Sequence, residues 1–123
     1  MVIMVVDDHH DTREMLAEVL EQGGHAVIAA NNGRNAIDLL TVYRVDVIIT
    51  DIMMPELEGT EFILRLRQSN IPIISVSGLA QEDVISKIIS SLGIRGFLQK
   101  PFRPGDILKM IQNVDTQIME RSE

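Results

Sequence analysis

Cysteine is absent from the 123 residues, which excludes disulfides and thiolate metal sites and fits a cytoplasmic protein. Tryptophan is absent too and aromatics make up only 3%, so the core must be built from Val, Ile, Leu, Met and Ala. No apolar run approaches the ~20 residues that cross a bilayer, and no membrane partner is expected. The opening MVIMVVDDHHD has no basic leader and runs straight into acids, unlike a signal peptide. Basic charge is scarce. Lys and Arg number 11 against 18 Asp and Glu, a net charge of −7, so direct nucleic acid binding is not expected. Repeats, low-complexity tracts and Pro/Ser-rich linkers are also missing. The length suits one domain over residues 1–123. Its expected partners are proteins, or a cation held by carboxylates.

What is present is an alternation of short apolar runs and helical patterns. Val2 to Val6, Val45 to Ile49 and Ile71 to Val76 are apolar on both faces, as buried central strands of a parallel sheet are. Val27 to Ala30 and Gly96 to Leu98 are shorter and suit edge strands. Five segments between and after them carry apolar residues at helical spacing. The first has Met15, Leu16, Val19 and Leu20, the second Ala36, Ile37, Leu40 and Tyr43, and the third Phe62, Ile63 and Leu66. The fourth has Val84, Ile85, Ile88, Ile89 and Leu92, and the fifth Ile107, Leu108, Ile111, Val114 and Ile118. Gly23-Gly24 closes the first helix, Asn32-Gly33 opens the second, Gly93 closes the fourth and Pro104 starts the fifth. The pattern predicts an α/β fold: five β–α units in three layers, around a doubly wound parallel sheet of order 2-1-3-4-5.

Ligands of such sheets bind beyond the carboxyl ends of the strands, where the strand order reverses. Here those ends are Asp7-Asp8, Asp51, Ser77-Gly78 and Lys100-Pro101. The fold would gather three mutually repelling carboxylates, which call for a cation, with a hydroxyl and an ammonium beside them. Oxygen ligands from few carboxylates suit Mg²⁺, with water and phosphate completing its shell. Lys100 offers a point charge and Ser77 a donor to phosphoryl oxygens, and Gly78 leaves room for their approach.

Four segments carry a more specific resemblance: VVDDHHD at 5–11, DIMMPELEG at 51–59, SVSG at 75–78 and FLQKPF at 97–102. In this order they resemble the signature segments of response regulator receiver domains, which have a flavodoxin-like fold and serve two-component systems and phosphorelays. The resemblance implies that Asp51 accepts a phosphoryl group from a sensor histidine kinase or a histidine phosphotransfer protein. It implies Mg²⁺ held by Asp8 and Asp51 directly, by Asp7 through water, and by the carbonyl of Met53. Ser77 and Lys100 would contact the phosphoryl group, and Phe97 would move with Ser77 as the switch. The output would be a changed surface offered to a downstream protein target or output domain, or to a second copy in a phosphorylation-dependent homodimer. The expected place is the broad apolar face of the fourth helical segment, with Ile94 beside it, together with strand 5 and the last helix. Met53 and Leu79 would flank the water that hydrolyses the aspartyl phosphate, and neither can orient it, so self-dephosphorylation should be slow. Beyond this self-directed transfer and slow hydrolysis, no enzymatic activity is expected. Ser77 stands where Thr is frequent and keeps the hydroxyl. Phe97 stands where Tyr is frequent and keeps the bulk without the phenol. Gly93-Ile94-Arg95-Gly96 replaces a more usual small-and-acidic run.

Plainer readings compete. Asp7-Asp8 could be helix N-terminal acids, Asp51 a turn residue, Ser77 a helix cap and Lys100 a solvated side chain. His9 and His10 invite a metal or phosphohistidine role, against which they read first as polar residues at a helix start beside the acids, and His25 reads as an exposed turn residue. Met15, Met110 and Met119 read as packing, and Glu56 and Glu58 as solvated. Three other functions are weighed. A small Asp-nucleophile phosphatase normally has an acid two residues past the nucleophile, where Met53 stands. A phosphorylation-independent binding module would be expected to have lost a site residue. A flavin binder would want a phosphate-cradling loop where Asp7-Asp8 stand.

Overall fold

In a computed structural model of the protein, the described residues are 1–51, 65, 68–77 and 94–122. The five strands are β1 (Val2–Val6), β2 (Ala26–Ala30), β3 (Val47–Thr50), β4 (Ile73–Ser77) and β5 (Gly96–Gln99). They form one sheet of order β2-β1-β3-β4-β5 with every pairing parallel. The fold expectation is met in class and strand order.

The helices are α1 (His10–Gln22), α2 (Gly33–Leu40) and α3 (Pro104–Ser122). The predicted punctuation sets their ends. Gly23 caps α1, and Gly24 turns the chain away at φ 92°. Asn32 caps α2 by accepting from the backbone N–H of Asn35 at 2.7 Å, and Pro104 is the first residue of α3. Arg65, Gln68 and Ser69 are helical, within the reach of the third predicted segment. Phe62, Ile63 and Leu66, the whole fourth segment and Gly93 lie outside the described residues.

Strand alternation divides the core into two layers. Ile3, Val5, Val47, Ile49, Ile74 and Val76 face Leu16 and Leu20 of α1 and Ile107, Ile111 and Val114 of α3. On the other face Met4, Val6, Ile48 and Ile73 pack with Ala36 of α2 and with Val45 and Ile94. Burial on both faces is why β1, β3 and β4 read as largely apolar runs, interrupted by Thr50, Ser75 and Ser77.

Several details depart from the sequence reading. Val45 is buried, yet it precedes β3, because Asp46 is tied to β1 there, its backbone N–H to Val2 O and its carboxylate from Val2 N–H, each at 2.8 Å. Met15 is 37% exposed instead of packed, since Leu16 and Leu20 already fill the stripe facing the sheet. Tyr43 lies beyond the end of α2 and is exposed. His25 is half-buried, with its Nδ1 3.2 Å from the Met1 amino group. Ile94, expected on a partner surface, is buried in the second core layer at 8% exposure. Thr50 and Ser75 are register partners with fully buried hydroxyls that have no hydrogen-bond partner among the described residues. Each costs about 1–3 kcal/mol of desolvation where it stands, just below the strand ends.

Candidate functional site

Parallel pairing in register brings the carboxyl ends of β1, β3 and β5 to one edge of the sheet. Asp7 and Asp51 each follow their strand directly, and their backbone N–H groups extend the ladder to Ala30 O at 3.2 Å and Val6 O at 3.3 Å. The side chains of both are therefore held by the sheet. Asp7 is 2% exposed.

Lys100 closes the group from β5. Its Nζ lies 3.1 Å from Asp51 Oδ2 and 3.4 Å from Asp7 Oδ2. Burial alone would lower the ammonium's pKa, but the hydrogen bonds and charges of Asp51 and Asp7 outweigh it and raise the value above 10.5. Lys100 is therefore a cation throughout the neutral range. The stability it contributes is complete below 10.5 and is lost as the pH climbs through the raised value. The reading of Lys100 as a solvated side chain fails on this geometry. The Lys100-Pro101 peptide is cis.

The second oxygen of Asp7 is also committed. Oδ1 accepts the backbone N–H of His9 at 2.8 Å, and the guanidinium of Arg13 donates to the Asp7 carbonyl at 2.7 Å. The N-cap position of α1 is His9, which makes no side-chain cap, so neither acid caps this helix. Asp8 differs from Asp7. Its Oδ1 is a buried oxygen that makes no hydrogen bond, although His9 Nδ1 stands 2.9 Å away. A carboxylate oxygen free of hydrogen bonds among the described residues is an available metal ligand, and all-oxygen carboxylate donors match Mg²⁺. The residues present fit that ion.

Lys100 thus contacts both Asp7 and Asp51, and Asp8 adjoins Asp7 on the chain. Ser77 ends β4, its backbone paired in register with Gln99 of β5, one residue before Lys100. Phe97 is half-buried in β5 opposite Ser75, on the strand row that runs from Val6 through Thr50. Met53, Gly78, Leu79, Glu56 and Glu58 lie outside the described residues. The sequence reading gave His9 and Arg13 no part in the site. The signal for His9 is that residue i+2 after a buried Asp can return its amide to that carboxylate.

Removing the ammonium tests this arrangement. Lys100→Met leaves Asp7 buried without its cation, a loss of about 1–3 kcal/mol once the partial exposure of Lys100 is allowed for. The variant should unfold at lower urea in chelator. It should gain more stability than the parent from added Mg²⁺, because the carboxylates then lack their internal counter-charge. Equal urea midpoints in chelator would show that the ion pair contributes nothing.

The family model described as the response regulator receiver domain matches residues 3–112. The chain is 35% identical over 122 residues to the "Probable transcriptional regulator ycf27" of Cyanidium caldarium, covering 98% of this chain and 48% of that protein. It is 36% identical over 110 residues to "Response regulator MprA" of Mycolicibacterium vanbaalenii, covering 86% of this chain and 46% of that one. It therefore spans about half the length of these curated relatives. Among solved structures, the chemotaxis protein CheY4 of Vibrio cholerae is similar with a TM-score of 0.83 and 32% identity, over 92% of this chain and 97% of that one.

Proposed function

The chain belongs to the response regulator receiver domain family, and on that premise we propose that it is a Mg²⁺-dependent switch that accepts a phosphoryl group on Asp51. The observation that carries this reading is the contact of Lys100 with both Asp51 and Asp7 at the sheet edge, beside an Asp8 oxygen that makes no hydrogen bond among the described residues. Receiver domains are signalling switches, and the chemistry proposed for this one is confined to itself.

In the proposed reaction a carboxylate oxygen of Asp51 attacks phosphorus. A new O–P bond forms as the P–N bond of a phosphohistidine breaks, and the electron pair of that bond returns to the donor's imidazole. A carboxylate nucleophile needs no general base, and that of Asp51 is fixed where its strand ends. Such transfers depend on positioning and charge neutralisation more than on covalent help. Lys100 is placed to meet a phosphoryl oxygen at the Asp51 carboxylate, and Ser77 would supply a hydroxyl from the neighbouring strand end. Mg²⁺, held by Asp8, Asp51 and the Met53 carbonyl and by Asp7 through water, would neutralise charge on the transferred oxygens. Lys100 then exchanges a carboxylate partner for a phosphoryl one. Ser77 and Phe97 follow it, and the surface around β5 and α3 changes for a downstream protein, an output domain or a second copy. A histidine kinase or phosphotransfer protein is the proposed donor. Among the described residues no helix is long and apolar enough to cross a membrane. A cytoplasmic location is part of the proposal.

Mg²⁺ should raise the melting temperature of the parent, because it binds the folded arrangement only. Asp8→Ala should remove most of that rise, and in chelator it should melt at or above the parent, having lost one of three repelling acids. A Mg²⁺ response that survives intact in Asp8→Ala would overturn the ligand set.

A further inference from the structure

We infer that His9 is a nitrogen ligand at the acid cluster, and that it shifts the cation preference of this site toward borderline transition metals over Mg²⁺. The inference rests on the proposed cation position and adds to it a residue that the carboxylate set does not require.

The imidazole faces the acids. His9 Nδ1 lies 2.9 Å from Asp8 Oδ1 and 3.3 Å from Asp7 Oδ1. One donor atom from each of Asp7, Asp8 and His9 falls within 4.8 Å of the others. Neighbouring donors of an octahedral ion with bonds of about 2.1 Å stand roughly 3 Å apart, which is the spacing of the nitrogen from both oxygens. Among the described residues Asp8 Oδ1 makes no hydrogen bond, and its contact with His9 is an ion pair only where the imidazole is protonated.

The environment divides the donors. Lys100 occupies Asp7 Oδ2, which leaves Oδ1 as the oxygen turned toward His9. The His9 backbone N–H bonds that same Oδ1, so the residue is anchored by its own main chain beside the acid it would share a metal with. Its ring is 69% exposed, so water and an incoming phosphoryl group can reach an ion held there. His10 does not share this position, since its Nε2 is 3.2 Å from Glu14 on the outer surface of α1.

The consequence follows from donor chemistry. A hard ion such as Mg²⁺ gains little from imidazole, whereas Co²⁺, Ni²⁺ and Zn²⁺ gain a strong bond. His9 therefore changes the ratio of affinities more than the affinity for Mg²⁺. The ring has to carry its proton on Nε2 for Nδ1 to ligate.

Titration calorimetry of the parent, His9→Phe, His10→Phe and Asp8→Asn with Mg²⁺ and with Co²⁺ tests this. Loss of a ligand should cost at least the roughly 10- to 100-fold that follows loss of a supporting residue. His9→Phe should thus lose about tenfold or more in Co²⁺ affinity, with Mg²⁺ affinity changed less than about threefold. His10→Phe should match the parent for both ions, and Asp8→Asn should lose both. A paramagnetically shifted imidazole N–H resonance should accompany Co²⁺ in the parent and in His10→Phe, and be missing in His9→Phe. A Co²⁺-to-Mg²⁺ ratio unchanged by His9→Phe, with the shifted resonance still present, overturns the role of His9 while leaving the cation site standing. Undiminished binding of both ions to Asp8→Asn overturns the cation site itself, and this inference with it.

Discussion

Asp51→Ala should take up no phosphoryl group from a small acyl phosphate and Mg²⁺, while the parent takes up one that hydroxylamine removes. The expected effect is total, because neither of the neighbouring described carboxylates, Asp7 and Asp8, is placed to substitute. Asp7 is buried with one oxygen on Lys100 and the other on the His9 amide. Asp8 is proposed to hold the metal and lies outside the reach that Lys100 has to Asp51 and Asp7. In the proposed arrangement nucleophile, counter-charge and metal converge at Asp51, and displacing the attacking oxygen by one residue loses the in-line approach. Labelling of Asp51→Ala at the parent's rate would refute this assignment.

The second large effect concerns how long the phosphoryl group stays. Hydrolysis needs a water in line with phosphorus, opposite the carboxylate oxygen. Met53 and Leu79, which by resemblance flank that approach, can crowd a water but can neither accept its proton nor orient it. Release from the parent should be slow, so switching off would depend on a phosphatase or on back-transfer to a partner. Met53→Asn combined with Leu79→Glu should accelerate release by about tenfold or more, since an amide and a carboxylate can then hold the nucleophile. Mg²⁺ affinity should hold, because residue 53 is proposed to offer only its carbonyl. The measurement is phosphate appearance over time from purified phosphoprotein. An unchanged or slower rate in the double variant would show that these side chains do not govern water access.

The parts of the fold that the sequence displays are those where one physical cause dominates. Burial on both faces makes β1 legible residue for residue from Val2 to Val6. Asn32 and Gly24 mark helix ends because few other residues satisfy a free N–H or a positive φ so well. Apolar content reports burial and not backbone state, which is why Val45 reads as strand while the hydrogen bonds of Asp46 place it before β3. Helical spacing locates a stripe but not its width, so Met15 reads as core and is a third exposed.

At the site, the convergence of Asp7, Asp51 and Lys100 follows from strand order alone once the runs are recognised. The geometry of His9 does not. Its ring reaches the acids through a backbone bond to Asp7, and the i+2 spacing hints at that bond without giving the direction of the ring. The hydroxyls of Thr50 and Ser75, without a hydrogen-bond partner among the described residues, carry no sequence signal of their burial, because Thr and Ser occur at strand ends as readily in solvent. Their position between Asp51 and Phe97 is a finding of the structure.

The most direct test of the proposed function is to locate the phosphoryl group. Phosphorylated protein reduced with borohydride converts an aspartyl phosphate to homoserine, and peptide mass spectrometry then reads the position. The account predicts homoserine at residue 51 and at no other carboxylate. Homoserine at Asp7 or Asp8, or a phosphoprotein whose label is found on His9 or His10, would contradict it.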